Sequence, residues 1–370
     1  MNVPFVDLPS QIAPYEKELR KVIDDVVFGR ADFIMRQDLL DFEKAFAEFT
    51  GVPYAVGVAN GSDALNLCLV ALGIGPGDEV ITVSHTFVAT MAAIHHCGAT
   101  PILVDVADDY NMDVRLLEKA VTKKTKAIIP VHLNGRLCDM DAVLAVAKKH
   151  NLPIVEDSAQ ACGAQYKGKK AGSFGVLSTN SFYPFKIMGC FGDGGMITTR
   201  DAGLNYKLRC MRDNGQDREK GDILFWGWNS RLDNLQAAIL MVILRHLPDI
   251  INRRRELAAR YARELSGIDG LSLPPAPASG EDYFDAFQNY VVRTKKRDAL
   301  VDHLRKNNVG VLISWPKPTH HHRDLGLSHF SLPNTESISR EVVSLPMHPA
   351  LTDRDVEYVV RVIRDFFRKP

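Results

Sequence analysis

The chain has 370 residues, and its 45 Lys plus Arg balance 45 Asp plus Glu for a formal net charge of zero. At about 150 residues per domain this length predicts two domains, and the charge balance argues against a nucleic-acid binder, which carries a clustered basic excess. With 46% hydrophobic residues a sizeable core is expected, while the longest strongly apolar run, Leu235 to Leu244, is short of the roughly 20 residues of a membrane span, so no membrane crossing is expected.

In chain order, Tyr54 to Val58, Glu79 to Val83, Pro101 to Val104, Ala127 to Val131, Pro153 to Glu156 and Gly195 to Thr199 read as strands. Helical patterns at Ser62 to Leu72, Val88 to Cys97, Asp113 to Val121 and Met140 to Lys149 lie between them. Such alternation predicts an α/β fold with a largely parallel sheet covered on both faces. Ligands of these sheets sit beyond the carboxyl ends of the strands, so motifs there weigh most. A smaller α+β region is expected from about residue 248. It comprises a charged helix from Ile251 to Leu265, a proline-containing loop from Leu271 to Glu281, a strand from Asn289 to Arg293, and helices from Lys296 to Asn307 and Asp353 to Phe367. The predicted domains are therefore 1–247 and 248–370.

Three segments carry chemistry. In Ser181-Phe182-Tyr183-Pro184-Phe185-Lys186, followed by Gly192-Asp193-Gly194-Gly195, a lysine sits among aromatic residues before a glycine-rich turn. A poorly hydrated lysine favours its neutral amine, the form that adds to an aldehyde as a Schiff base. On composition alone, a surface lysine beside a turn is equally acceptable. In Leu152 to Gln160 an apolar strand delivers Asp157 at its carboxyl end, where its carboxylate could pair with a pyridinium nitrogen and keep it protonated, or merely cap a helix. Finally, Asn60-Gly61-Ser62-Asp63 joins a strand to a helix, and the free amides of a helix start suit a phosphate, although a plain capped turn has the same look.

Taken together with Asn229-Ser230-Arg231-Leu232-Asp233, Val3 to Leu8 and Ser344-Leu345-Pro346-Met347-His348-Pro349, these motifs resemble the DegT/DnrJ/EryC1/StrS family of aminotransferases of nucleotide-linked keto sugars. The resemblance implies an aspartate-aminotransferase-like large domain (fold type I), pyridoxal 5′-phosphate as cofactor, and L-glutamate as amino donor. Lys186 would hold the cofactor and shuttle a proton. Asp157 would bind the pyridine nitrogen, Gln160 the ring hydroxyl, Phe87 the ring face, and Gly61, Ser62 and Ser181 the phosphate. Asn229 would reach the phosphate of a neighbouring subunit and Arg231 would lie close to the shared substrate site, which implies a homodimer. Relatives with dehydratase activity carry histidine at the lysine position, so Lys186 favours amino transfer.

Departures from the family pattern concern the sugar. Ile313-Ser314-Trp315-Pro316-Lys317-Pro318-Thr319-His320 resembles a His-Tyr-Pro-x-Pro-x-His stretch of enzymes that aminate C3, with Ser314 and Trp315 in place of the His-Tyr pair. Trp315 and His320 are the sugar-facing candidates there. The stretch points to C3 of a UDP- or dTDP-linked hexose, with C4 amination and a catalytically silent regulator as alternatives. Asn134 stands where the family usually has tyrosine. The adjacent His320, His321 and His322 are not expected to hold a metal, because neighbours on a loop do not share one face. Six scattered cysteines without a Cys-x-x-Cys pair, and an N-terminus lacking a basic-then-apolar leader, point to reduced thiols in the cytoplasm.

Overall fold

The computed structural model describes residues 1–277 and 282–368. The end of the predicted 271–281 loop, residues 278–281, lies outside the described residues. Seven strands form the centre: β1 (Tyr54–Val58), β2 (Glu79–Val83), β3 (Thr100–Val104), β4 (Thr125–Ile128), β5 (Val155–Asp157), β6 (Leu177–Ser181) and β7 (Gly195–Thr199). Their order is β1-β7-β6-β5 and, joined through the Ile128–Ile154 and Val131–Asp157 bridges, β4-β2-β3. The pairs β2/β3, β2/β4 and β5/β6 are parallel, whereas β7 runs against both β1 and β6.

That one reversed strand matters. It brings the start of β7 to the edge where β1, β2, β4, β5 and β6 end, so the segments after Val58, Val83, Ile128, Asp157 and Ser181 converge with Gly195. A Cβ on Gly195 would come within 2.5 Å of the Asn60 carbonyl, so only glycine allows this approach. β6 has no counterpart among the predicted strands. Its Ser178, Thr179 and Asn180 are buried, and the two hydroxyls donate to the Glu156 carbonyl at 3.3 and 3.2 Å. A central strand written in polar residues satisfies itself inside the sheet and shows no apolar run.

Helices α1 (Gln37–Thr50), α2 (Gly61–Ala71), α3 (Ala89–His96), α4 (Met140–His150) and α5 (Ala202–Met211) flank the sheet. Several start or stop on local chemistry. Asn60 caps α2 by accepting from Asp63 N at 2.8 Å, and Gly51 ends α1 in the left-handed conformation. The 32-residue α6 (Asn234–Leu265) continues through Pro248, so the predicted boundary at 247/248 falls inside one helix. This helix is long and apolar enough to cross a membrane by length and composition alone, but its apolar face is used inside the protein. Here Ala237, Leu240, Leu244 and Leu247 pack into the large core, and Leu257, Ala258, Tyr261 and Leu265 into the smaller one. A proline interrupts one backbone hydrogen bond, and continuous apolar packing on both sides of it offsets that loss.

The smaller core lies between α6, the antiparallel pair Tyr290–Arg293 and Val342–Leu345, and helices Arg297–Lys306 and Asp353–Arg368. Val3 is buried there and bridges Val309, so the first residues of the chain pack with its last third. A short hairpin, Gln216–Asp217 paired with the exposed Asp222–Ile223, precedes α6.

Candidate active site

A cavity of about 670 Å³ opens at the convergent strand ends, lined by Gly61, Ser62, Phe87, Asp157, Gln160, Ser181, Lys186 and Trp315 among others. Eight of the predicted site residues therefore share one space. The Lys186 side chain reaches it from the tight turn after β6 and is half-buried. Burial pushes the ammonium below the ordinary lysine range, an effect that nearby Asp157 opposes only partly. Gln288, from the smaller domain, braces this turn on both sides of the lysine. Its Oε1 accepts from Ile187 N at 2.8 Å and its Nε2 donates to the Phe185 carbonyl at 2.7 Å.

Asp157 ends β5 and is 5% exposed. Its Oδ2 accepts from Thr90 Oγ1 at 2.8 Å and its Oδ1 from Ala159 N at 3.2 Å. The preceding Glu156 fixes the strand end from behind. It is fully buried, and its oxygens accept from the amides of Gly172, Phe174 and Gly175 and face His132 Nε2 at 3.0 Å. Gln160 Oε1 accepts from Asn134 N at 3.0 Å, which leaves the Gln160 amino group to donate toward the cavity. Asn134, the residue in place of the family's tyrosine, adopts a left-handed φ of 56° that makes this contact possible.

At the phosphate end, the first amides of α2 have no intrahelical acceptor. A Cβ on Gly61 would lie 2.8 Å from that of Ser181, so glycine is what lets the helix start and the end of β6 meet. This set of groups could hold pyridoxal 5′-phosphate: Lys186 would meet its aldehyde, Asp157 its ring nitrogen, Gln160 its hydroxyl, and Gly61, Ser62 and Ser181 its phosphate.

Three predicted residues are not on the cavity wall. Asn229 is exposed at the base of the hairpin, next to Ser230, whose hydroxyl donates to Asp63 Oδ2 at 2.6 Å. Arg231 pairs with Asp213 at 3.0 Å. His320 is wholly buried behind the wall, with its Nδ1 2.8 Å from Ser84 Oγ and its Nε2 3.4 Å from Glu336, so its ring serves to tie the 315–320 segment to the end of β2. His321 Nε2 also approaches Glu336 at 3.6 Å. Thus the two adjacent histidines do converge on one carboxylate, contrary to the expectation from their spacing, and the Ser84–His320–Glu336 hydrogen bonds account for that grouping. Trp315 holds the wall in a left-handed backbone conformation (φ 49°), its ring edge-on to buried His85 at 5.2 Å. Burial, with Arg293 adding to it, pushes the His85 imidazole down to about 4, so His85 is neutral at ordinary pH.

Thr90, Gln288 and His85 carry no mark in the sequence: each is an ordinary residue until the fold brings it to Asp157, Lys186 or Trp315.

Residues 16–364 match the DegT/DnrJ/EryC1/StrS aminotransferase family. The "Pleiotropic regulatory protein" of Geobacillus stearothermophilus is 41% identical, covering 100% of this chain and 99% of its own. The dTDP-3-amino-3,4,6-trideoxy-alpha-D-glucose transaminase of Streptomyces venezuelae is also 41% identical, covering 99% of this chain and 96% of its own. Among solved structures, S. venezuelae DesV in complex with a ketimine intermediate superposes with a TM-score of 0.95 at 40% identity, covering 100% of this chain and 99% of that one.

Proposed function

The chain belongs to the DegT/DnrJ/EryC1/StrS aminotransferase family, and on that premise we propose that it transfers an amino group from L-glutamate to C3 of a nucleotide-linked keto hexose. The observation that carries this reading is the Lys186 amine sharing one cavity with Asp157, whose charge it senses. Bound there, pyridoxal 5′-phosphate supplies an electron sink for negative charge at the donor's α-carbon. Lys186 Nζ would carry the proton from the donor's α-carbon to C4′ of the cofactor, a role open only to an amine that is neutral for part of the cycle; such general acid–base help is worth about 10² to 10⁴ in rate. Asp157, braced by Glu156 behind it, holds the acidic end of the ring in place. Phe87 covers one ring face, and Trp315 narrows the sugar end of the cavity.

C3 as the site of amination is supported by the 313–320 segment and by the 3-amino product in the Streptomyces relative's name. A silent regulator has no use for a desolvated amine opposite a carboxylate. We further read the working unit as a homodimer in which Asn229 and Arg231 of one subunit serve the cavity of the other. The position of exposed Asn229 and half-buried Arg231 beside the start of α2, off the wall of their own cavity, supports this. Six unpaired cysteines support a cytoplasmic setting.

Purified protein should show a visible absorbance band that bleaches when glutamate is added. The aminated form should then deliver nitrogen to a 3-keto sugar in a panel of UDP- and dTDP-hexoses, with the position read by NMR. Amination at C4 would replace the C3 assignment, and a colourless protein inert to glutamate would end the transaminase reading.

A further inference from the structure

We infer that Thr90, backed by Thr86, is the positioning residue that sets the rotation of the Asp157 carboxylate toward the cofactor's ring nitrogen. An aspartate's χ2 is a broad, soft torsion, so the orientation of its oxygens must come from contacts rather than from the rotamer. Thr90 stands in the first turn of α3 and lines the cavity together with Asp157 and Lys186. Its Oγ1 donates to Asp157 Oδ2 at 2.8 Å, and the Thr86 hydroxyl lies 3.3 Å from the same Oγ1.

Distance alone leaves the direction of the Thr86–Thr90 contact open. An ionised carboxylate only accepts, and each hydroxyl has a single proton. Thr90's proton is therefore committed to Asp157, and Thr86 is left as donor to Thr90. All three residues are buried, so bulk water does not compete and the oriented hydroxyls polarise one another. The Ala159 amide holds the other carboxylate oxygen at 3.2 Å. With one donor on each oxygen the carboxylate plane is fixed, while lone pairs remain for a donor in the cavity. The same turn also places the ring-face residue: Thr90 N–H donates to the Phe87 carbonyl at 3.3 Å. One helical turn therefore sets both the covering aromatic and the rotation of the acid.

The inference rests on the cofactor assignment but not on the identity of the sugar, so it is tested without a sugar. In the holoenzyme, the dissociation constant for pyridoxal phosphate is read from the visible band on dilution, and the glutamate half-reaction from its bleaching. Thr90→Val and Thr90→Ala should each weaken cofactor binding about tenfold or more, as expected for losing a hydrogen bond to a charged group, and slow the bleaching. Thr90→Ser should stay within about threefold of the parent, because it keeps the hydroxyl. In an Asp157→Asn background, Thr90→Val should add less than about threefold, since the hydroxyl acts through that carboxylate. Parental binding and bleaching in both Thr90→Val and Thr90→Ala would overturn the inference. So would a Thr90→Ser as impaired as Thr90→Val, or a fully additive loss in the Asp157→Asn background. Should the valine variant fail to fold, the alanine and serine variants decide. A parent protein with no visible band would instead mark failure of the cofactor assignment itself.

Discussion

Partial burial of the Lys186 amine costs the ammonium some of its hydration, and that cost should appear in stability. The folded chain holds this proton less tightly than the unfolded chain, whose lysine titrates near its ordinary 10.5. Between the two values the unfolded state binds more protons, so the stability of the cofactor-free protein rises with pH across that window. Lys186→Met should therefore be more stable than the parent in cofactor-free form near neutral pH, with the gap closing as pH approaches 10.5, while turnover is abolished. Urea unfolding of both proteins at a series of pH values checks this; parallel stability curves would mean that the amine is hydrated after all. At this scale the sequence was readable as to which residues share the cavity wherever a residue type stood just after a strand, as for Lys186, Asp157, Gly61, Ser62, Ser181 and Gln160. It was unreadable for Thr90, because a threonine in a helical stretch is commonplace and only the fold carries it to Asp157, 67 residues away. His320 shows the converse. A polar residue in a loop looked available to a sugar, but Ser84 turns its ring inward.

Among the elements, the turn that carries Lys186 is not self-supporting. Gln288, in the segment leading into the strand Tyr290–Arg293, spans it by taking the Ile187 amide and giving to the Phe185 carbonyl. The neighbouring Arg254 of α6 anchors that segment through its guanidinium, which donates to the carbonyls of Phe287 and Met347 at 3.1 and 2.8 Å. Gln288→Leu keeps the bulk and removes both contacts, leaving a buried amide and a carbonyl unmatched at about 1 to 3 kcal/mol each. The expected result is a lowered melting temperature and a glutamate half-reaction slowed about tenfold or more, because small misplacements of a reacting group are costly. Stopped-flow bleaching alongside thermal unfolding separates the two effects; a variant that loses stability but reacts at the parental rate would show that the brace is structural only. Strands with apolar runs and helices with clear caps were legible at this scale. β6 was not, since its buried positions are Ser, Thr and Asn, and α6 was read only from Ile251 to Leu265, with the 247/248 boundary drawn inside a helix that tertiary packing makes continuous.

At the scale of the whole molecule, a single chain leaves several large apolar side chains in water: Trp226 at 96% exposure, Phe28 at 82% and Ile223 at 74%. Trp226 and Ile223 belong to the hairpin region that ends at Asn229, and such a surface is expected to be covered in an assembly. Nothing in periodicity or composition could have shown which copy of the chain Asn229 serves, since a sequence names residues and not the subunit they face. The proposed sharing has a consequence that a self-contained site does not. Take one variant lacking the lysine, Lys186→Ala, and another lacking the phosphate donor, Asn229→Ala, each expected to be inactive or severely impaired alone. In a mixed dimer, the cavity that keeps Lys186 receives the intact Asn229 of the Lys186→Ala subunit, while the opposite cavity lacks both. If subunits pair at random, half of the dimers are mixed and each has one working cavity, so co-expression should restore about a quarter of parental activity. Were Asn229 to serve its own cavity, every cavity in every dimer would lack one group and co-expression would restore nothing. The recovered rate, measured against the two variants purified separately, therefore reads directly which subunit completes the site.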